Sequence, residues 1–179
     1  LTSVGIPKTV EPIKAQPIDP PTLTMTFRIN DGPLAGKEGD KVQSRVIRER
    51  LMREAEGNIA LRVTPSETET DAFEVAGRGE LQLGILIETM RREGFELTVG
   101  RPRVVFKIDE ATGEKLEPVE EVIIDVDEDY AGVVVQKVSE RKGELRDMRP
   151  SGTGRQRLVF HAPTRGLIGY QSELLSDTR

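Results

Sequence analysis

The alternation of apolar and polar residues is clearest between residues 73 and 106. Phe73 and Val75 alternate with polar neighbours, as in a strand with one buried face. Gly77 and Gly79 follow, and glycine permits the tight reversal from a strand into a helix. That helix is predicted from apolar residues at helical spacing, which are Leu81, Leu83, Ile85, Leu86, Ile87 and Met90. A further strand is predicted where the two-residue period resumes, at Phe95, Leu97 and Val99.

The preceding residues show the same patterns in the same order. Residues 22–29 alternate as a strand, residues 40–56 have a helical apolar stripe, and residues 59–63 alternate again. Residues 22–108 are therefore predicted to have the order β-α-β-β-α-β. This order is typical of a ferredoxin-like sandwich, in which four antiparallel strands carry two helices on one face.

The order begins again after residues 109–118, a polar segment interpreted as a linker or hairpin. Residues 119–179 are predicted to form a strand, a helix capped by Asp129, two more strands and a last helix over about residues 165–176. This order is that of a second ferredoxin-like unit without its fourth strand. We expect a further strand beyond residue 179, because a sheet edge would otherwise stay unpaired.

The predicted fold class is therefore α+β, with two ferredoxin-like β-α-β-β-α-β sandwiches in tandem, the second lacking its last strand. Residues 1–21 precede the first sandwich and contain five prolines. Because each proline fixes φ and removes a backbone donor, these residues are predicted to be an extended leader.

Composition excludes several classes of protein. The chain has no cysteine, so thiolate catalysis and cysteine-based zinc sites are excluded. No apolar run approaches the roughly 20 residues that cross a membrane, and we expect a cytoplasmic protein without a membrane partner. Aromatic residues make up only 4% of the chain, which argues against recognition of nucleic acid by base stacking.

Charge is distributed unevenly along the chain. Residues 117–129 hold seven acidic residues and no lysine or arginine, whereas residues 141–179 hold eight basic against four acidic residues. One interpretation is a solvated protein face. The other is contact with the phosphate backbone of a nucleic acid, for which the candidates are Arg141, Lys142, Arg146, Arg149, Arg155, Arg157 and Arg165.

One short motif suggests ligand binding but lacks essential residues. Gly77 and Gly79 lie where a dinucleotide-binding loop would have them, but the third glycine position is Gln82, and Glu80 would repel a pyrophosphate. This stretch is interpreted as a structural turn. No GxxxxGK[ST] sequence is present, so the chain has no P-loop.

Neither a metal site nor a catalytic site is predicted. Asp125, Asp127 and Asp129 have the opening spacing of a calcium loop, but its sixth and twelfth positions are Tyr130 and Gln136. His161, the single histidine, ends a predicted strand with no nucleophile turn nearby. We therefore expect no catalytic residue, no metal and no cofactor in this chain, and we do not expect it to be an enzyme.

Three stretches resemble translational GTPases of the elongation factor G type. Residues 77–106, GRGELQLGILIETMRREGFELTVGRPRVVF, resemble the domain III signature, in which G-x-GELHL opens the second helix. Residues 151–179, SGTGRQRLVFHAPTRGLIGYQSELLSDTR, resemble domain V of the ribosome-associated branch of this family, and PTLTMTF at residues 21–27 fits the same branch. Gln82 stands where elongation factors commonly have histidine, which favours that branch over elongation factor G itself.

The resemblance implies a five-domain parent protein whose GTPase domain binds GTP and Mg²⁺ and precedes a β-barrel domain, of which the leader would be the tail. The implied partners are these two domains and the 70S ribosome, through its RNA and proteins at the factor site. Members of this branch are associated with stress adaptation and large-subunit assembly, and their domain V faces large-subunit RNA. The expected function is non-catalytic ribosome docking and relay to the GTPase domain.

An alternative left open is a tandem ferredoxin-like module that senses a ligand or serves as a scaffold. Such a module would need a small-molecule pocket where its two units meet. Fold alone does not decide between these functions.

Overall fold

The structure is a computed structural model that describes residues 18–179. The predicted leader, residues 1–21, lies almost entirely outside the described residues. The first half contains β1 (Leu23–Ile29), α1 (Ser44–Gly57), β2 (Arg62–Pro65), β3 (Ala72–Gly77), α2 (Glu80–Arg92), β4 (Leu97–Val99) and β5 (Arg103–Val104).

The first sheet has the strand order β2-β3-β1-β4, and every pair is antiparallel. This is the strand order of a ferredoxin-like sandwich. β5 also pairs with β1, beside β4, and is an addition to the predicted four strands. Alternate residues of β1 and β3 face α1 and α2, and the resulting core consists of Leu23, Phe27, Ile47, Leu51, Leu61, Phe73, Val75, Leu83, Leu86, Met90 and Phe95.

The predicted apolar stripe of α2 is wrong at two positions. Leu81 and Ile85 remain 62% and 58% exposed, whereas Leu83, Leu86 and Met90 are buried. An α-helix turns by about 100° per residue, so residues 81 and 85 lie on the side opposite residues 83, 86 and 90. Six apolar residues on one helix predicted a wider buried face than the sheet covers.

The boundaries of two other elements also differ from the prediction. α1 begins at Ser44 rather than near residue 40, because Lys41 instead forms a parallel backbone bridge with Phe95. β2 begins at Arg62, and Ile59 is exposed in a turn in which the Leu61 N–H donates to the Asn58 carbonyl. In both places a tertiary hydrogen bond or a turn replaces the regular element that the apolar pattern favoured.

The second half begins with a small hairpin of β6 (Lys107–Ile108) and β7 (Lys115–Leu116). It continues with β8 (Val119–Asp127), α3 (Glu128–Glu140), β9 (Glu144–Pro150), β10 (Arg155–Pro163), α4 (Thr164–Leu167) and α5 (Tyr170–Asp177). The predicted single last helix is two helices. Gly169, between them, has a φ of 75°, in the left-handed region that ends one helix and redirects the chain.

The second sheet has the order β8-β10-β9, again antiparallel. This order corresponds to three of the four strands of a ferredoxin-like sheet, and β10 is the only strand that pairs with β8 within residues 18–179. The core between this sheet and its helices consists of Ile124, Val126, Ala131, Val134, Val138, Leu158, Phe160 and Tyr170. The predicted α+β class is confirmed. No helix of the described chain is long and apolar enough to cross a membrane.

Candidate nucleic-acid interface

One face of the second sheet packs against helices and the other is open. On β10, Leu158 and Phe160 point inward and are fully buried, so Arg155 and Arg157 point outward by the two-residue period of a strand. All seven residues of β9 are exposed. The open face is therefore built from the outward positions of β8, β10 and β9.

Strand pairing brings four arginines together on this face. Arg149 of β9 lies directly opposite Arg157 of β10. An irregularity in the pairing between Val159 and Phe160 shifts the β9 register, and the Arg146 Nε donates to the outward-facing His161 Nδ1 at 3.1 Å. We call the set Arg146, Arg149, Arg155 and Arg157 the arginine face.

Acidic residues of β8 lie across from the arginines of β10. Arg155 pairs with Asp127 and Arg157 with Asp125 in the strand register. The Arg157 Nε and Nη2 donate to the two Asp125 carboxylate oxygens, each at 2.9 Å, and the Ser151 hydroxyl donates to one of them at 3.0 Å. These hydrogen bonds from Arg157 and Ser151 hold the pKa of Asp125 below its usual range, and the bond to Asp125 raises the pKa of Arg157.

The remaining ion pairs on the face are longer. The Arg155 Nε lies 3.6 Å from an Asp127 carboxylate oxygen, and Arg149 and Arg146 lie 3.6 Å from Asp147 and Glu144. The four arginine side chains keep 41–62% of their surface exposed. Exposed ion pairs contribute only about 0–1 kcal/mol, so an incoming phosphate can replace these carboxylates at small cost.

The other three predicted residues lie elsewhere. Arg141 is 29% exposed and turns into the protein, where its guanidinium donates to the carbonyls of Gly166 and Ile168 and to Glu173. The Arg165 Nε donates to Glu117 at 2.8 Å. Lys142 is exposed in the turn after α3, with a φ of 68°. Their predicted contact with phosphate stays a prediction.

Sequence reasoning did not foresee that the acidic run and the basic segment would share one face. The signal was present, because both Asp125-Val126-Asp127 and Arg155-Gln156-Arg157 place like charges two residues apart. In antiparallel neighbours such residues project from the same side of the sheet and meet as cross-strand pairs. The ferredoxin-like strand order already makes β8 and β10 neighbours, but the sequence did not specify the register that places Arg157 opposite Asp125 and Arg155 opposite Asp127.

In the Gly77–Glu80 turn, a side chain of the protein itself occupies the position that the ligand has in a dinucleotide-binding loop. The Arg78 N–H donates to the Gln82 Oε1 at 2.7 Å. A Cβ at Gly77 would lie 2.8 Å from the same oxygen, so the Gln82 side chain would have to move if Gly77 were replaced. In the part of the chain that the structure describes, no three His, Cys, Asp or Glu side chains are placed to hold a metal ion.

A comparison with known protein families finds a match for the part of the chain that forms the second sheet. Residues 114–179, which span β7 to α5, match the family model for the elongation factor G C-terminus. This part of the chain is therefore similar to the C-terminus of elongation factor G.

Relatives of known name cover nearly the whole chain. The chain is 51% identical over 172 residues to the large ribosomal subunit assembly factor BipA of Salmonella typhimurium. The aligned residues make up 96% of this chain and 28% of that protein. The Bacillus subtilis BipA is 50% identical over 169 residues, and the Synechocystis BipA is 49% identical over 162 residues. The chain belongs to the BipA family and spans little more than a quarter of the length of these relatives. The resemblance drawn from the sequence motifs is confirmed.

Proposed function

We propose that this chain is a non-catalytic, ribosome-docking part of a BipA-type translational GTPase, and that its arginine face contacts ribosomal RNA. The observation that carries this proposal is the gathering of Arg146, Arg149, Arg155 and Arg157 on one open sheet face. The relatives are named as assembly factors of the large ribosomal subunit, which supports an RNA-rich partner.

The chemistry of the face suits backbone phosphates rather than bases. Arginine presents a planar fork of donors that binds phosphate oxygens in pairs. The outward positions of β10 carry no Phe, Tyr or Trp on which bases could stack. Each of the four arginines is paired with one carboxylate, so the arginine face carries no net positive charge before RNA binds. Binding is therefore expected where the RNA displaces those carboxylates.

The rest of the proposal follows from the family resemblance. The two ferredoxin-like units, residues 22–108 and 119–179, would correspond to domains III and V, with residues 109–118 between them and residues 1–21 leading from a β-barrel. GTP and Mg²⁺ would bind in the GTPase domain of the parent protein, and this chain would relay between that domain and the 70S ribosome in the cytoplasm.

The test is co-sedimentation of the full-length parent protein with 70S ribosomes across a salt series, in the presence of a GTP analogue. The variant carries Arg149→Ala, Arg155→Ala and Arg157→Ala. If all three contact phosphates, binding weakens and the log–log salt slope falls by about 2–3, since each contact adds about 0.7–0.9.

A matched control removes the same charge from another surface. Arg45→Ala, Arg48→Ala and Arg53→Ala alter exposed arginines of α1 in the first unit. We expect this control to leave the salt slope close to that of the wild type. Equal losses in both variants would show an effect of net charge only and would contradict the proposal, as would an unchanged slope in the β9–β10 variant.

The ligand-sensing or scaffolding alternative is supported by one feature. A cavity of about 650 Å³ lies between the two units, lined by residues 19–22, Arg78, Val105, Lys107 and residues 116–121. This volume falls within the usual range of small-molecule sites, about 300–1,000 Å³. If the wild-type parent protein fails to sediment with ribosomes at low salt, this alternative becomes the better proposal.

A further inference from the structure

A short loop of the second unit contacts the core of the first. Ile168 and Gly169 connect α4 and α5, yet the Ile168 side chain packs against the hydrophobic cluster built by β1, β3, α1 and α2. At the next residue, the Gly169 N–H donates to the Glu80 Oε2 at 2.8 Å, across 89 positions of sequence. One apolar and one polar contact thus join the two units at adjacent residues.

The second unit holds this loop in shape. The Arg141 Nη1, at the end of α3, donates to the carbonyls of Gly166 and Ile168 at 2.9 and 3.1 Å. Its Nη2 donates to Glu173 at 2.6 Å, and its guanidinium lies over the Tyr170 ring. A Cβ at Gly166 would collide with the Arg141 carbonyl oxygen. The loop is therefore a shaped projection and not a loose connection.

Glu80 provides what the start of α5 lacks. Gly169 occupies the N-cap position of α5 and has no side chain to accept a hydrogen bond from the first turn. The Glu80 carboxylate lies at this end of the helix, where negative charge is favoured by the helix dipole. Glu80 is also the first residue of α2, so one side chain joins the beginnings of two helices from different units.

Apart from this loop, α4 of the second unit also contacts β5 of the first, and part of the space between the units is an open cavity. The cavity of about 650 Å³ has Val105 and Lys107 on its lining together with residues 116–121 of the β7–β8 segment. The relative position of the units thus depends strongly on a few contacts, among them those of Ile168 and Gly169.

We propose that Ile168 and Glu80 form a latch that holds the two units in one arrangement. With both contacts made, the units keep the arrangement described here. When they are lost, the units separate about residues 105–118 and the cavity between them opens. This inference does not rest on ribosome binding and can be tested on the chain alone.

The absence of cysteine permits a direct test by site-specific spin labelling. Glu56→Cys in α1 and Gly132→Cys in α3 place one label on each unit, at exposed positions away from the latch; a Cβ at Gly132 meets no other atom within 4 Å. Pulsed electron–electron double resonance on the 179-residue chain then gives the distribution of distances between the two spin labels. We expect a single narrow distribution when the latch is intact.

Two substitutions release the latch. Ile168→Ser is expected to raise the population of separated arrangements by about tenfold to a hundredfold, because the hydrophobic contact with the first core is lost. Glu80→Ala removes one exposed charged acceptor and is expected to raise it by about threefold to tenfold. Both changes appear as a second or broader distance distribution.

Control variants and folding measurements distinguish release of the latch from unfolding of the chain. Ile59→Ser and Glu110→Ala make the same chemical changes at exposed positions and should leave the distribution narrow. The two tyrosines of the chain, Tyr130 and Tyr170, both lie in the second unit, so tyrosine emission shows that this unit is folded, and far-ultraviolet circular dichroism reports both units.

An unchanged narrow distribution in folded Ile168→Ser would overturn the proposal, and so would equal broadening in the control variants. If Ile168→Ser does not fold, Glu80→Ala decides, because its side chain is exposed and outside the core. A wild-type distribution in that variant would then overturn the proposal.

Discussion

Each sheet carries a carboxylate bound by an arginine on the face away from its helices, but the two carboxylates differ in burial. In the first sheet, Glu74 accepts hydrogen bonds from Arg103, Thr24 and Thr26, and its side chain is 21% exposed. In the second sheet, Asp125 accepts from Arg157 and Ser151 at a more exposed position.

The surroundings explain why these similar pairs have different roles. Burial raises the pKa of Glu74, but the hydrogen bonds from Thr26 and Arg103 outweigh it and the pKa lies below its usual value. The buried Thr26 hydroxyl depends on this network for its partner. Arg103 therefore has a structural role, because it binds the carboxylate that accepts the hydrogen bond of Thr26. Arg157 is 41% exposed and Asp125 35%, against 57% for Arg103 and 21% for Glu74, so the two pairs differ in the burial of the carboxylate and not of the arginine.

The largest expected effects come from the two cores. Phe27 and Phe160 are fully buried, one in each cluster, and replacement of either by alanine is expected to cost about 3–5 kcal/mol. Urea unfolding followed by tyrosine emission and by circular dichroism tests this. Because both tyrosines lie in the second unit, Phe160→Ala shifts the emission midpoint, and Phe27→Ala shifts it only if the units unfold together. A loss below about 1 kcal/mol in either variant would contradict the assigned cores.

An intermediate effect on stability is expected at the Glu74–Arg103 pair. Glu74→Ala leaves Arg103 and the buried Thr26 without their acceptor and should destabilise the chain by about 1–2 kcal/mol. Asp125→Ala, at the exposed pair, should shift the urea midpoint much less. The measurement is urea unfolding of both variants at neutral pH. Equal shifts would show that burial does not separate the two pairs.

The smallest effect is the pH dependence of the pairs. The folded-state pKa values of Glu74 and Asp125 both lie below their usual values, so the unfolded chain takes up protons more readily. Their stabilisation is present at neutral pH and is lost as pH falls through and below the ordinary carboxylate range, about pH 4. Unfolding midpoints measured from neutral pH downward should decline, and Glu74→Gln should make that decline shallower. A decline as steep as in the wild type would contradict this role of Glu74.

Most of the secondary structure could be predicted because it depends on local periodicity. The order of strands and helices in residues 22–108 followed from periods of two and of 3.6 residues, as the observed β1 to β4 show. The errors occurred where a distant group replaced a local preference. Lys41 pairs with Phe95 instead of extending α1, and Gly169 divides the last helix while its N–H binds Glu80.

The loop between β1 and α1 shows the same limit. Glu96 is buried, and its carboxylate accepts hydrogen bonds from the N–H groups of Gly36, Glu38 and Gly39 and from the Asn30 side chain. These bonds, from the Glu38 N–H above all, hold the pKa of Glu96 below its usual range. A glutamate about 60 positions away gives no local signal that it organises this loop.

The candidate site divides in the same way. The sequence by itself determined the class of fold, the family and the basic character of residues 141–179, because these depend on composition, periodicity and motifs. Only the tertiary structure decided which basic residues share a face. Strand register and the irregularity at Val159 gather Arg146, Arg149, Arg155 and Arg157, while Arg141 turns inward and donates to the Gly166 carbonyl. Pairing between distant strands sets these positions, and the local pattern of a chain does not specify its partners.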